Sequence, residues 1–272
     1  KAKIKSFGAE LNSLQKIEND FEYIWQADSQ YWARHSPVLF PIVGRLKNDS
    51  YFYKDKKYSL SQHGFARDKE FELIKKEDDF IEFSLKNDEK TLEIYLFLFE
   101  LNISYKLEKT KLIISYKVKN RSEDKLYFSV GAHPAFNISS GDFLDFEDVR
   151  TSKRYFLNNK GLIYKNQEVS FTKNSLILDE EIFKNDALVF NDNNIKSIIL
   201  RDKNSNKILK VEFEDFPYLG IWSKPNLAPF VCIEPWFGVA DEENSNQNIE
   251  DKRGVQVLLK DELFSCFYSI EI

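Results

Sequence analysis

Over much of this chain apolar and polar side chains trade places at every residue, and that period admits few folds. Leu112, Ile114, Tyr116 and Val118 alternate with Ile113, Ser115 and Lys117. Leu209, Val211 and Phe213 alternate with Lys210 and Glu212, and Ile81, Phe83 and Leu85 with Glu82, Ser84 and Lys86. A strand sends successive side chains to opposite faces, so each run reads as a strand with one face turned inward. Leu92, Ile94, Leu96 and Leu98, interleaved with Glu93, Tyr95, Phe97 and Phe99, predict a further strand over 92–99. The runs are bounded by Asn, Asp, Lys or Gly, and several carry apolar side chains on both faces, as strands sandwiched between layers do. Helical spacing is confined to possible turns at 31–35 and 179–186. Aromatic residues make up 15% of the chain, with 24 Phe and 13 Tyr, which suits strands around a large core. No Pro/Ser/Gly-rich linker, repeat or composition break divides it. The expected fold class is all-β, a large antiparallel β-sandwich, with residues 1–272 as a single domain.

Several functional classes are disfavoured. The formal net charge is -5 and both signs are mixed, as in Lys75-Lys76-Glu77-Asp78-Asp79, so no basic stripe invites nucleic acid. No apolar run approaches the roughly 20 residues of a membrane helix. The start, Lys1-Ala2-Lys3-Ile4, lacks a secretory apolar core, so a cytoplasmic location is expected. The two cysteines, Cys232 and Cys266, lie in strand-like runs without CxxC spacing. They read as buried free thiols, although a bridge between them is not ruled out by sequence. GxGxxG, P-loop, GxSxG and HExxH motifs are absent. The three histidines have no metal-ligand spacing, and no metal is expected.

Chemistry concentrates in Cys232-Ile233-Glu234-Pro235-Trp236-Phe237-Gly238-Val239-Ala240-Asp241. Here a carboxylate, Glu234, follows an apolar run that reads as a buried strand ended by Pro235. Apolar walls raise a carboxylate's pKa toward the range of a useful base, although a strand-end Glu reaching water would also fit. His133, in Gly131-Ala132-His133-Pro134-Ala135-Phe136-Asn137, follows the strand-like Leu126-Tyr127-Phe128-Ser129-Val130 and reads as a held loop at a strand end. His63 and Arg67, in His63-Gly64-Phe65-Ala66-Arg67, present two donors to a polar ligand, while His35 reads as a loop residue. Arg45, after Pro41-Ile42-Val43-Gly44, places a guanidinium in a cleft or in a salt bridge. Asp186 and Glu234 together would also serve a paired-carboxylate glycosidase.

Taken in order, these segments resemble the aldose 1-epimerase (galactose mutarotase-like) family, and its LacX-like branch in particular. The resemblance runs from Phe7-Gly8-Ala9-Glu10-Leu11 and Tyr23-Ile24-Trp25-Gln26 through Arg34-His35-Ser36-Pro37, the Arg45, His63 and His133 segments and Gly220-Ile221-Trp222-Ser223-Lys224-Pro225 to the Glu234 segment. It implies a β-supersandwich, with His133 as general acid, Glu234 as general base, and Arg45, His63 and Asp186 as ligands of sugar hydroxyls. The implied partner is a small-molecule sugar. Interconverting anomers needs one acid and one base about the anomeric centre and no metal or redox cofactor. Trp222 or Trp236 would cover an apolar sugar face or simply pack in the core. The His-Gly-Phe-Ala-Arg form departs from the galactose enzymes and occurs in relatives that resemble hexose-6-phosphate epimerases. Arg67 is therefore expected to meet a phosphate or to pair with Asp68 or Glu70. A non-catalytic sugar-binding protein on the same scaffold remains a further alternative.

Overall fold

The computed structural model describes residues 1–179, 181–191, 194–225 and 228–272. Two large antiparallel sheets dominate it. The nine-stranded sheet is ordered Ser175–Ile177, Phe143–Asp145, Ser197–Arg201, Lys207–Glu212, Leu263–Glu271, Lys111–Asn120, Phe99–Glu108, Phe80–Lys86 and Glu72–Lys76. The eight-stranded sheet runs Ile163–Ser170, Thr151–Leu157, Leu188–Phe190, Tyr218–Trp222, Phe230–Phe237, Val130–Ala132 and Val38–Leu39, and Ala135–Asn137 also pairs with Phe230–Phe237. The alternation read over 111–120, 80–86 and 207–213 holds. Leu112, Ile114, Tyr116, Val118, Phe83, Leu85, Leu209, Val211 and Phe213 all enter the main core.

Alternation also sorts the eight-stranded sheet by face. Leu219, Ile221, Val231 and Ile233 point into the main core shared with the other sheet. Tyr218 and Trp236 belong to a second apolar cluster, and Cys232 to a third that Trp222 packs against. Cys232, Glu234 and Trp236 therefore share the face turned away from the main core, as residues two apart on a strand must.

Three expectations change. Residues 92–99 do not form a strand: Glu89–Ile94 is an α-helix, and the next strand begins at Phe99. Asp88 starts the helix, its carboxylate accepting from Thr91 N at 2.6 Å while Thr91 Oγ1 accepts from Asp88 N at 2.8 Å. This reciprocal cap outweighs the local alternation. The inward period begins only at Tyr95, with Tyr95, Phe97, Phe99 and Leu101 buried.

Pro235 does not end its strand, which continues to Phe237. Ile233 N donates to Pro134 O at 3.2 Å along one edge. Pro235, two residues on, faces the same edge where the neighbouring chain steps from Ala135–Asn137 to Val130–Ala132. A residue without an N–H is tolerated at such a break.

Neither 31–35 nor 179–186 holds a helix among the described residues: the first is a turn ending at Tyr31 and followed by bends, and the second a turn over 181–185. Trp32 N donates to Asp28 O at 2.9 Å, and Lys184 N to Glu181 O at 3.2 Å; Glu180, within the second stretch, lies outside the described residues. Both cysteines are free and buried.

Candidate active site

On the outer face of the eight-stranded sheet lies a cavity of about 350 Å³ lined by Arg45, His63, Arg67, His133, Asp186 and Glu234. Six residues from five separate stretches of sequence thus converge on one volume. Trp32, Trp222 and Trp236 complete its aromatic walls.

Trp236 forms the floor. Its indole lies against two glycines on neighbouring strands: a Cβ on Gly220 would come within 2.4 Å of the ring and one on Gly131 within 2.6 Å. Trp236 Nε1 donates to Ala132 O at 3.2 Å, which fixes the ring's tilt. Gly220 is also the cross-strand partner of Glu234, so no side chain stands directly opposite the carboxyl.

Glu234 is 1% exposed. Burial pushes its pKa well above the usual carboxylate range, the charge of Asp186 adds to the rise, and Trp236 opposes it. His133 sits between the short strands Val130–Ala132 and Ala135–Asn137, with Nε2 3.1 Å from Glu234 Oε2. Trp32 stacks on its ring, with centroids 4.9 Å apart and 27° between planes, and Trp222 meets it edge-on at 5.9 Å. Burial, and after it the charge of Arg67, depresses His133 to about 3. Burial disfavours the charged form of each group. The pair's titration belongs to the two groups jointly.

Cys232 completes a buried trio. Its sulfur and donor atoms of His133 and Glu234 all lie within 4.8 Å of one another. Burial, reinforced by Glu234, raises the thiol pKa well above its ordinary value.

His63 is clamped from both sides by Gly44. His63 N donates to Gly44 O at 3.0 Å, and Gly44 N donates to His63 Nδ1 at 3.2 Å. Burial first, then the charges of His133, Arg67 and Arg34, hold His63 well below its ordinary pKa. A neutral imidazole whose Nδ1 accepts carries its proton on Nε2, so His63 offers the cavity a donor. The clamp requires an unusual backbone: His63 has φ 66° and Gly44 φ 73°. A Cβ on Gly44 would lie 2.5 Å from Ala240 N.

Arg45 stands at the rim, its Nε donating to Asp49 Oδ1 at 3.0 Å. Its backbone is anchored beneath. Asp241 N donates to Arg45 O at 2.9 Å, and Lys47 N donates to Asp241 Oδ2 at 2.9 Å. Lys252, itself buried, pairs with Asp241 Oδ1 at 3.2 Å and also donates to Val239 O. Asp186 is exposed, with φ 74° and Oδ1 accepting from Ala187 N at 2.7 Å. Arg67 donates from Nη2 to Gln62 O at 2.7 Å. Its Nε lies 3.7 Å from Asp68 Oδ2 and is buried without a hydrogen bond among the described residues. Asp68 is held more closely by Arg34, at 2.9 Å.

Trp32 and Gln62 line the cavity although the sequence did not mark them. Trp32 carries no local signal, because its role depends on a loop folding over His133. Gln62 had only its place beside His63. Trp222 and Trp236 do line the cavity as well as pack. His35 stays outside it, with Nδ1 3.8 Å from Glu10 Oε2 and its backbone N donating to Glu10 Oε1 at 2.9 Å.

The family model described as aldose 1-epimerase matches residues 1–255. The plasmid LacX protein of Lactococcus lactis subsp. lactis is 33% identical over 286 residues, covering 98% of this chain and 95% of the relative. A galactose mutarotase related enzyme from Lactobacillus acidophilus superposes with a TM-score of 0.95 at 35% identity, over 99% of this chain and 93% of the other. A galactose mutarotase-like protein from Lactobacillus casei gives 0.93 at 28% identity, over 99% and 96%.

Proposed function

The chain belongs to the aldose 1-epimerase family, and from that premise we propose that it interconverts the α and β anomers of a free hexose by acid–base ring opening. The observation that carries this reading is the His133–Glu234 contact of 3.1 Å at the floor of a hexose-sized cavity. Glu234 takes the proton of the anomeric hydroxyl as His133 gives one to the ring oxygen. The C1–O5 bond breaks, C1 becomes an aldehyde, rotation about C1–C2 exposes its other face, and closure returns both protons with the roles reversed. In this reading the pair shares one proton, whichever group carries it. Substrate entry therefore only has to move that proton from carboxyl to imidazole, and sugar oxygens seated between the two groups favour the move. Arg45, His63 and Asp186 bind hydroxyls around the ring, and Trp222 or Trp236 covers an apolar face.

Anomer-exchange NMR on α-glucose and α-galactose tests the reading. Glu234→Gln and His133→Asn are each expected to slow exchange by about 10²–10⁴-fold while the fold survives. Full exchange in either variant would remove that residue from the mechanism. Saturable sugar binding without faster exchange would indicate a binding protein instead. Release of reducing sugar from glycosides would indicate a hydrolase using Asp186 and Glu234.

A phosphorylated hexose is the second reading, favoured by one observation. Arg67 lines the cavity with Nε lacking a hydrogen bond among the described residues, and burial first, then the charge of Arg34, disfavours its own charge. A phosphate would relieve that repulsion. Glucose 6-phosphate exchanged faster than glucose, with the advantage lost in Arg67→Ala, would select it.

A further inference from the structure

Cys232 is a buried thiol that the proposed reaction leaves unused. Its sulfur and the donor atoms of His133 and Glu234 lie within 4.8 Å of one another, and all three side chains are buried. The strands build this trio. Cys232 and Glu234 are two residues apart on Phe230–Phe237 and so share one face. On the neighbouring chain Ala135 pairs with Cys232 and Pro134 O accepts from Ile233 N, which sets His133 beside Glu234. No local spacing marks such a set, because its histidine and its other two members come from different strands.

Thiolate sulfur, imidazole nitrogen and carboxylate oxygen are the ligand types that zinc takes. A tetrahedral ion with bonds of about 2.0–2.3 Å needs its donor atoms roughly 3.3–3.5 Å apart. His133 Nε2 and Glu234 Oε2 already stand at 3.1 Å. They do so without a hydrogen bond: Glu234 Oε2 is buried and lacks a hydrogen-bond partner among the described residues. Bringing the sulfur from 4.8 Å to ligand spacing takes a shift of about 1.3 Å at most. His133 and Glu234 line the open cavity, which gives an ion its entry path and leaves a fourth position for water. A thiolate, a carboxylate and a neutral imidazole cancel the charge of a divalent cation, so Arg67 nearby does not repel the complex. We propose that Cys232, His133 and Glu234 bind a divalent cation of the zinc class, and that the ion shuts the site off by occupying the lone pairs with which His133 and Glu234 move protons. The thiol proton and the proton shared by the pair leave to solvent as the ion enters. That exchange holds the affinity below that of a structural zinc site, on the order of micromolar. The binding site stands on geometry alone, and its effect on turnover rests on the epimerase reading.

The test titrates Zn²⁺ into anomer-exchange NMR on glucose and galactose, and Co²⁺ into the protein alone while the near-ultraviolet thiolate-to-cobalt charge-transfer band is recorded. Wild type and Cys232→Ala are compared, with Cys232→Ser as a second variant that keeps the side chain's shape should alanine loosen the strand. In the wild type Zn²⁺ should slow exchange by about 10-fold or more, reversibly with chelator, and Co²⁺ should give the band at one equivalent. Both variants should exchange sugar like the wild type when metal-free, lack the band, and need roughly 10-fold more Zn²⁺ for the same slowing. No band in the wild type, or a band that persists in the variants and so belongs to Cys266, would overturn the site. A Cys232-dependent band with exchange untouched by Zn²⁺ would overturn it as well, because the ion would not be held by His133 and Glu234. A Cys232-dependent band together with no exchange of either sugar in the metal-free protein would overturn the epimerase reading and retain the cation site.

Discussion

The two large sheets solve different problems with the same alternation. In the nine-stranded sheet, Phe99–Glu108 and Lys111–Asn120 run ten residues each and pair along their whole length, and every residue of Leu263–Glu271 pairs with Lys111–Asn120. In the eight-stranded sheet one edge of Phe230–Phe237 is instead pieced together from strands of two or three residues, Val38–Leu39, Val130–Ala132 and Ala135–Asn137, while Tyr218–Trp222 pairs with the other edge. Its outer side carries the buried His63, His133 and Glu234, with Asp241 and Lys252 beneath the rim, whereas Asp142 is the buried carboxyl beside a strand of the nine-stranded sheet. Long strands offer only side chains at fixed spacing. Broken strands bring loop backbone into the interior, where it can clamp an imidazole, as Gly44 clamps His63, or admit a histidine beside a carboxyl. The regular sheet supplies stability, and the broken one uses some of it to hold polar groups out of water.

Substitutions in the two sheets should separate activity from stability. The largest effect expected is in Glu234→Gln, which should lose about 10²–10⁴-fold in exchange rate. Its melting temperature should stay unchanged or rise, because a neutral amide replaces a buried acid. Ile114→Ala in the regular sheet should do the reverse, costing about 2–5 kcal/mol in urea unfolding with kcat/KM unchanged. If Glu234→Gln also unfolds the protein, the division between the sheets fails.

Lys252→Met would sharpen the comparison. It leaves Asp241 buried without its partner, so a loss of about 3–5 kcal/mol is expected. Asp241 also anchors Arg45 and Lys47, so KM should rise more than kcat falls. A change in kcat alone would place Lys252 in the chemistry and not beneath it.

Acid should cost stability through Glu10. Burial pushes the Glu10 carboxyl up, but the nearby His35 ring, the Lys5 ammonium at 2.6 Å and the His35 amide at 2.9 Å outweigh it and bring the pKa to about 2. The folded protein thus binds this proton more weakly than the unfolded chain, whose carboxyl titrates near 4.5. The stability it confers, about 3 kcal/mol, is complete above that pH and is lost progressively as pH falls toward 2. Glu10→Gln should flatten this part of the stability–pH curve, and an unaltered curve would exclude the residue as its source.

Gly220→Ala carries the smallest expected effect, about 1–3 kcal/mol, because its Cβ would press on the Trp236 indole. Added strain in the floor should raise KM as well. The same change at Gly141, where a Cβ would meet only the Lys203 side chain, no closer than 3.1 Å, lacks the indole contact and should leave KM alone.

What was legible in the sequence follows the same division. Phe83, Ile114 and Val211 announce their strands because each alternates locally and pairs with long neighbouring strands. The broken sheet hides its geometry. Pro235 looks like a terminus because nothing nearby reveals that the opposing chain changes strands beside it. The 89–94 helix is signalled by Asp88 and Thr91, but four alternating apolar residues mask it. The site residues were recognisable as an ordered set of motifs, and the fold brings Arg45, His63, Arg67, His133, Asp186 and Glu234 to one cavity. Trp32 was not recognisable, since stacking between a loop and a histidine 101 positions away leaves no mark in local pattern.

Pro235 has a consequence for how errors in folding are detected. A slip of one residue in its strand would exchange the two faces, sending Glu234 into the apolar core and Ile233 into the cavity. The same slip would place the ring nitrogen of Pro235 where the ladder requires a donor. The residue therefore acts as a key that fits only one register, and a misregistered chain would be inert and not merely slow. In a preparation of this protein, specific activity would count correctly threaded molecules directly.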